Sequence, residues 1–400
     1  MKRRDFIKSS VALAAVTTLA GEVAPGSAAE SDKASIKNYR TLGRTGMKIS
    51  DISFGAGKLP SASLVLRAIE RGVNYFDTAP DYGPSESLIG EALKRLPDRG
   101  KIYIASKFCQ SKPYPGHLPV GSSEQDYVAA VEESLKRLGT DYLDAVFVHA
   151  VGESPDFDKE RKRLLDPNML KAYERLRRDG KVRALAVSSH GPHNMEKLLM
   201  EAVDSGHFDL IMPAFNFMKF PKVPEVLKAA SQKGVGVVAM KTLAGARESG
   251  ADLRGVSEHA AFKWVLKHAE VGGLVVTFAN TGHLDLYLQA SGQDFSATDQ
   301  KLLDQYAARH GQDYCRTGCG DCEAGCQAGL PIASILRYQM YFADYKDEKQ
   351  AMQSYAALEK NAAICQNCDS ASCNQLCAYG LPVATKLRAA HRQLSFATVA

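Results

Sequence analysis

Long apolar runs are what this chain of 400 residues most plainly does without. The most suggestive stretch, residues 10–20, is a mild Ala/Val/Leu/Thr run, well short of the roughly 20 apolar residues a spanning helix needs, so no stable membrane span is expected. Charge of one sign is also scarce. Lys and Arg number 50 against 45 Asp and Glu, a net +5 that is scattered along the chain, and no basic patch is interleaved with aromatics, so nucleic acid is not an expected partner. The glycine fingerprints of nucleotide folds are missing too: Gly55-Ala56-Gly57-Lys58 has neither the G-x-G-x-x-G spacing nor a Gly-Lys-Ser/Thr ending. Those glycines read as permitting close backbone approach at a strand end. Cysteine is nearly absent from the first 300 residues, where Cys109 stands alone and reads as a packed side chain; the other eight fall between Cys315 and Cys377.

What is present begins with Lys2-Arg3-Arg4-Asp5-Phe6-Ile7-Lys8, the short apolar run and small residues around Ser27-Ala28-Ala29. That is a basic region, a short hydrophobic region and a cleavage site, and the paired arginines resemble a twin-arginine export signal over residues 1–29. The expectation is a periplasmic or otherwise exported protein that uses the twin-arginine machinery and takes up any cofactor before export.

Beyond it, 45% hydrophobic and 24% charged residues describe an ordinary globular chain. Residues 39–50 carry the polar alternation and glycines of a small hairpin, placed as a lid under something larger. Apolar runs then recur at 52–55, 73–76, 102–105, 143–148, 182–187, 210–214, 235–240 and 274–277. Amphipathic stretches such as 85–96, 124–138, 170–179 and 223–233 lie between them. Eight strands alternating with helices predict an α/β fold, a closed (β/α)8 TIM barrel over residues 36–296. An open doubly wound sheet is the alternative, and it lacks its fingerprint.

In such a barrel, catalytic groups stand at the carboxyl ends of strands. Asp77 ends the second strand, Lys107 follows the third, His149 follows the fourth, and Tyr82 lies in the loop after the second. Singly each has an ordinary reading as loop cap, rim aromatic, surface charge or packed histidine; at successive strand ends they read together as a site. The stretches Leu42-Gly43-x-Thr45-Gly46, Phe76-Asp77-Thr78-Ala79-x-x-Tyr82-Gly83, Lys107 and Leu138-Gly139-Thr140-Asp141-Tyr142-Leu143-Asp144 leading to His149 resemble the aldo-keto reductases. The resemblance implies hydride transfer between NAD(P)H and a small carbonyl or alcohol substrate. It also implies Tyr82 as proton donor, Lys107 lowering the Tyr82 pKa, Asp77 pairing Lys107, and His149 orienting the substrate oxygen.

For the cofactor, NADP or NAD, the resemblance points to Gly55, Ser188, Ser189, Asn216 and Lys241. Ser188-Ser189-His190-Gly191 stands where the family often has Ser-Asn, and Met240-Lys241-Thr242-Leu243-Ala244-Gly245 matches a branch with Met-Lys at that strand end. The loop after the eighth strand lacks the Lys and Arg that commonly grip a 2′-phosphate, leaving His283 or Arg247 as weak substitutes.

Residues 297–400 change register, with a helix expected at 299–309. The cysteines follow as Cys315-x3-Cys319-x2-Cys322-x3-Cys326 and Cys365-x2-Cys368-x4-Cys373-x3-Cys377, with an amphipathic, Tyr-rich segment at 335–363 between them. The sets repeat: Cys326-Gln327-Ala328-Gly329-Leu330-Pro331 parallels Cys377-Ala378-Tyr379-Gly380-Leu381-Pro382. Four thiolates per set suit iron-sulfur, zinc or disulfide chemistry. The spacing resembles the ferredoxin-like tails of one aldo-keto reductase branch, with lengthened gaps and a displaced proline. It implies two 4Fe-4S clusters, Cys326 joining Cys365, Cys368 and Cys373, and Cys377 joining Cys315, Cys319 and Cys322. Two functions result: an oxidoreductase with an iron-sulfur tail, or an electron-transfer or binding protein whose barrel has little turnover and presents clusters to a redox partner protein.

Overall fold

The strand pattern of two-residue period closes into a barrel. The structure is a computed structural model that describes residues 33–395, apart from 155, 192, 219, 244–255, 317–318 and 345. The expected export signal at 1–29, and Ala244, Gly245 and Arg247, lie outside the described residues. From Ala34 onward the chain forms one unit.

A hairpin of β1 (Tyr39–Thr41) and β2 (Lys48–Ser50) precedes β3 (Ile52–Gly55), β4 (Tyr75–Asp77), β5 (Tyr103–Lys107), β6 (Leu143–Val148), β7 (Val182–Ser189), β8 (Leu210–Pro213), β9 (Gly236–Ala239) and β10 (Gly273–Thr277). The last eight pair in parallel, and β10 closes on β3. The eight expected strands are therefore all present, and the expected (β/α)8 barrel is the fold.

Alternation decides what each strand sends inward. Tyr75, Ala105, Ala145, Phe147, Ala184 and Ala186 fill the barrel interior, whereas Phe76, Ile104, Val146, Leu185 and Val187 pack outward under the helices. Asp77, Lys107, His149 and Ser188 lie two residues past interior positions. The same parity that buries an apolar layer thus raises a polar layer above it.

The hairpin plugs the opposite end, as its lid role required. Leu42, Met47 and Ile49 join the interior cluster, and Arg40 donates to the Val271 carbonyl at 3.0 Å. Gly43 has φ +51, and a Cβ there would meet the Gly236 nitrogen at 2.4 Å.

Helix ends follow local chemistry. Glu124–Leu138 has the predicted bounds because Ser123 and Asp126 form a capping box and Gly139 closes the last turn in the left-handed region. Pro167–Arg178 starts three residues before the expected 170, since Asp166 caps it and Pro167 takes the first helical position. A helix the sequence pattern did not suggest, Phe157–Leu164, follows β6.

After Ala297–His310, the cysteine-rich tail builds a second core from the helices Ile332–Ala343, Glu348–Ala356 and Val383–Leu394. The repeat is structural. Short helices Asp321–Ala324 and Ser372–Gln375 carry Cys322 and Cys373. Pro331 and Pro382 open the long helices with φ/ψ of −77/72 and −76/67. Glu323 accepts from Ala333 N at 2.7 Å just as Asn374 accepts from Ala384 N at 2.9 Å.

The hairpin plug yields a paired test. Gly46 also has a positive φ, +71, but a Cβ there would meet nothing within 4 Å. Gly46→Ala should cost about 1 kcal/mol of backbone strain alone, and Gly43→Ala distinctly more, from strain plus the clash at the barrel floor. Urea unfolding of both variants measures the difference.

Candidate active site

At the polar layer, Lys107 Nζ donates to Asp77 Oδ1 at 2.7 Å and to the Thr78 carbonyl at 2.7 Å, with both charged side chains buried. The register that sets Asp77 beside Ala105 and Lys107 beside Phe147 brings these ends level. Lys107 is the last residue of β5 rather than the first beyond it. Its ammonium lies 4.9 Å from the Tyr82 ring centroid. The Tyr82 hydroxyl shares a 3.3 Å hydrogen bond with His149 Nε2. All four predicted catalytic residues are thus brought together.

The surroundings correct one expectation. Burial, then Asp77, Asp81 and Cys109, push the Tyr82 phenol well above its ordinary pKa and outweigh the nearby Lys107 charge, so Tyr82 stays protonated. A protonated phenol is the form able to donate.

The other side of His149 was not foreseen. Asp81, the residue before Tyr82, places Oδ2 at 3.5 Å from His149 Nδ1, and Cys109 Sγ is 3.3 Å from the same nitrogen. Burial alone would raise the Asp81 carboxyl, but hydrogen bonding and charge from His149, the Gly116 amide and the Lys107 charge hold it at about 2. Burial keeps His149 below its ordinary pKa despite Asp81. An ionised carboxylate facing a neutral ring favours the proton on Nδ1, which makes Nε2 the acceptor for the Tyr82 O–H. The only sequence signal was an acidic residue adjacent to Tyr82. Arg163, from the unforeseen helix, donates to the His149 carbonyl at 2.6 Å and the Ala150 carbonyl at 2.8 Å, and pairs with Glu160 at 2.7 Å. It fixes the backbone just where Ala150 adopts φ 51.

The expected cofactor residues stand at the same rim with their side chains partly committed. Ser188 Oγ accepts from Ala150 N at 2.9 Å, which leaves its own proton to give, whereas Ser189 donates to the Val151 carbonyl at 2.6 Å. Asn216 Nδ2 donates to the Lys241 carbonyl at 2.9 Å and its Oδ1 accepts from Met218 N at 3.1 Å. Gly55 lies on β3, where a Cβ would press on Val276 at 3.3 Å. Lys241 is exposed in the left-handed region with φ 55.

The tail reaches this rim. On the Ile332–Ala343 helix, Ser334, Arg337 and Tyr341 share a face. Ser334 bonds His193, and buried Arg337 donates to the His190 carbonyl and Nδ1 and to the Tyr341 hydroxyl. His190 lies 3.5 Å from Glu153, which accepts from Tyr114 at 2.9 Å; the Tyr114 ring is 5.5 Å from that of His149. A chain of hydrogen bonds, ion pairs and a final edge-on ring contact therefore runs from the Ile332–Ala343 helix to His149.

The chain is thus a TIM barrel with a buried Lys–Asp pair and a phenol–imidazole pair at its carboxyl-terminal rim. The model of the aldo/keto reductase family matches residues 57–256, half of the chain, which belongs to that family of NAD(P)-dependent oxidoreductases. Similar proteins include L-galactose dehydrogenase of Arabidopsis thaliana, 29% identical over 220 residues, covering 51% of this chain and 65% of that protein. Aldo-keto reductase AFTS1 of Alternaria alternata is 30% identical over 267 residues, covering 56% and 69%. L-glyceraldehyde 3-phosphate reductase of Escherichia coli K12 is 25% identical, covering 55% and 65%. The match spans just under two thirds of the length of the first and third. A solved structure from Pseudomonas aeruginosa, described as an aldo-keto reductase, superposes with a TM-score of 0.53 at 26% identity, covering 65% of this chain and 96% of that one.

Asp81 supplies an acid-stability test. Its carboxyl is held below the unfolded value, so the stability it contributes is present above about pH 4 and lost as pH falls through about 2. Wild type should lose about 2 kcal/mol more than Asp81→Asn over that window, as read from urea midpoints at each pH. An equal loss in both would show that Asp81 is not so held.

Proposed function

We propose that this protein reduces a small carbonyl compound, or oxidises the corresponding alcohol, with NADPH or NADH as hydride carrier, and that its tail holds two 4Fe-4S clusters. The observation that carries the enzyme reading is the hydrogen bond between the Tyr82 hydroxyl and His149 Nε2 beside the buried Lys107–Asp77 pair.

A bound nicotinamide supplies the hydride for the carbonyl carbon. The residues of the chain handle the oxygen. Tyr82, a neutral phenol, donates its proton as the C=O π bond gives way to an alkoxide, so hydride and proton together make one alcohol. Lys107, fixed by Asp77 and the Thr78 carbonyl, places a positive charge near the phenolate left behind. His149, turned by Asp81, aligns the substrate oxygen with Tyr82. Ser188, with a proton to donate, is the candidate for the nicotinamide amide, and Lys241 for the pyrophosphate. Gly55, Ser189 and Asn216 serve the same site as framework rather than as side-chain ligands. Near the 2′-phosphate region, His283 lies in the first turn of the Thr281–Tyr287 helix, where its Nδ1 accepts from Ala279 N at 3.2 Å; the choice between NADP and NAD stays with direct titration.

The tail reading rests on how its thiols gather. Cys322 feels the neighbouring Cys315, Cys319 and Cys377, whereas Cys365 feels Cys326, Cys368 and Cys373 and is pushed up to about 11, chiefly by burial. These groupings are the ones that two crossed quartets of a ferredoxin-like arrangement would require. All nine cysteines are unbridged. Hydride chemistry moves two electrons and such clusters one at a time, so the clusters serve either structure or a redox partner protein. The same reading favours export through the twin-arginine route, which accepts folded, cluster-loaded proteins; no described helix is long and apolar enough to cross a membrane.

Tyr82→Phe should lower carbonyl reduction by about 10²-fold or more while NADPH and NADH bind within about twofold of wild type. Retained turnover, or failure of wild type to bind either nucleotide, would overturn the enzyme reading. Anaerobically prepared protein should be brown with about eight irons per chain; a colourless, zinc-loaded preparation would refute the clusters.

A further inference from the structure

Behind the catalytic histidine, on the side away from Tyr82, four metal-ligating side chains converge. Cys109 and His117 face each other across an antiparallel bridge, so their side chains project to the same side. Cys109 Sγ is 3.3 Å from His149 Nδ1, Asp81 Oδ2 is 3.5 Å from that nitrogen, and the three ligand atoms all lie within 4.8 Å of one another. The His117 ring centroid is 5.2 Å from that of His149. The hairpin is pinned against Asp81 by the Gly116 amide at 2.9 Å, and a Cβ at Gly116 would come within 2.8 Å of the Asp81 Cβ.

Two atoms in this cluster are unexplained by protein contacts. Asp81 Oδ1 and His117 Nε2 are both buried without a hydrogen-bond partner. An unmet carboxylate oxygen at a residue only 6% exposed is costly, and an ion accounts for it.

From this geometry we infer a divalent-metal site, of zinc type, formed by Cys109, His149 and Asp81, with His117 beside it. Zinc bonds of about 2.0–2.3 Å place neighbouring N, O and S ligands about 3.3–3.7 Å apart, and the 3.3 and 3.5 Å separations need little adjustment. The mixed thiolate, imidazole and carboxylate set suits zinc and is unlike the all-cysteine quartets of the tail. The thiol of Cys109 loses its proton to solvent as the Zn–S bond forms, and no electron is transferred.

The site has a consequence for His149. A cation on Nδ1 leaves the ring proton on Nε2, reversing the hydrogen bond with Tyr82, so that the imidazole donates where it had accepted. Metal binding itself does not rest on the reductase reading, because it is read by retained metal rather than by turnover.

The full-length chain, as isolated with its tail loaded, is dialysed against Zn2+ and then against buffer, and zinc is counted beside identical preparations of Cys109→Ala and Asp81→Asn. One zinc more per wild-type chain than per Cys109→Ala chain is expected, with Asp81→Asn binding at least tenfold more weakly. Equal zinc in all three would assign the metal to other thiols and overturn the site. Should a variant not fold, wild-type crystals soaked in Zn2+ decide the matter: an anomalous peak at the zinc edge about 2.3 Å from Cys109 Sγ supports the site, and its absence there refutes it.

Discussion

A lysine ammonium inside a barrel is tolerable only if its charge is answered where it stands. Lys107 is 2% exposed, and its answer is the Asp77 carboxylate and the Thr78 carbonyl, each at 2.7 Å. Removing either partner would leave a charge without water, so the ends of β4 and β5 are bound into one register. Because the loop that begins at Thr78 also carries Asp81 and Tyr82, that single pair positions the phenol and the carboxylate that flank His149. The polar layer is thus a consequence of one buried charge and the two-residue period of the strands beneath it.

The second organising contact joins barrel to tail. Arg337 is buried at the rim with its donors spread over His190 and Tyr341, while Glu153 and Tyr114 continue the chain of contacts toward His149. A guanidinium held this way resists sliding, because its bonds have fixed directions. The helix that bears it opens from Pro331, just beyond Cys326, so the rim is mechanically continuous with the cysteine-rich core.

Much of this was legible in the sequence, and the reason is periodicity. Eight apolar runs at strand length gave the barrel, their carboxyl ends gave Asp77, Lys107 and His149, and the duplicated Gly-Leu-Pro segments gave a repeat that reappears as matched helix starts at Pro331 and Pro382. What escaped has no period. Asp81 and His117 act from loops and Arg163 and Arg337 from two helices, and Arg163 reaches back to Ala150 and His149 while Arg337 reaches His190, 147 residues away. Asp81 offers the plainest case: adjacent to Tyr82 in sequence, it gains meaning only from His149 and Gly116, which no local pattern connects to it. The expected lowering of the Tyr82 pKa failed for the same kind of reason, since it weighed the nearest cation and not the burial and carboxylates around the ring.

His149 is therefore better regarded as a ring with two occupied faces than as a single catalytic group. Its Nε2 faces Tyr82 and its Nδ1 faces Asp81 and Cys109, so whatever settles the proton on one nitrogen decides the role of the other. With Asp81 ionised at all but strongly acid pH, that choice is made by the protein and not by the solvent. The direction of the Tyr82 hydrogen bond then follows from a carboxylate on the far side of the ring, which makes Asp81 the residue through which anything bound behind the histidine would reach the reacting oxygen in front of it.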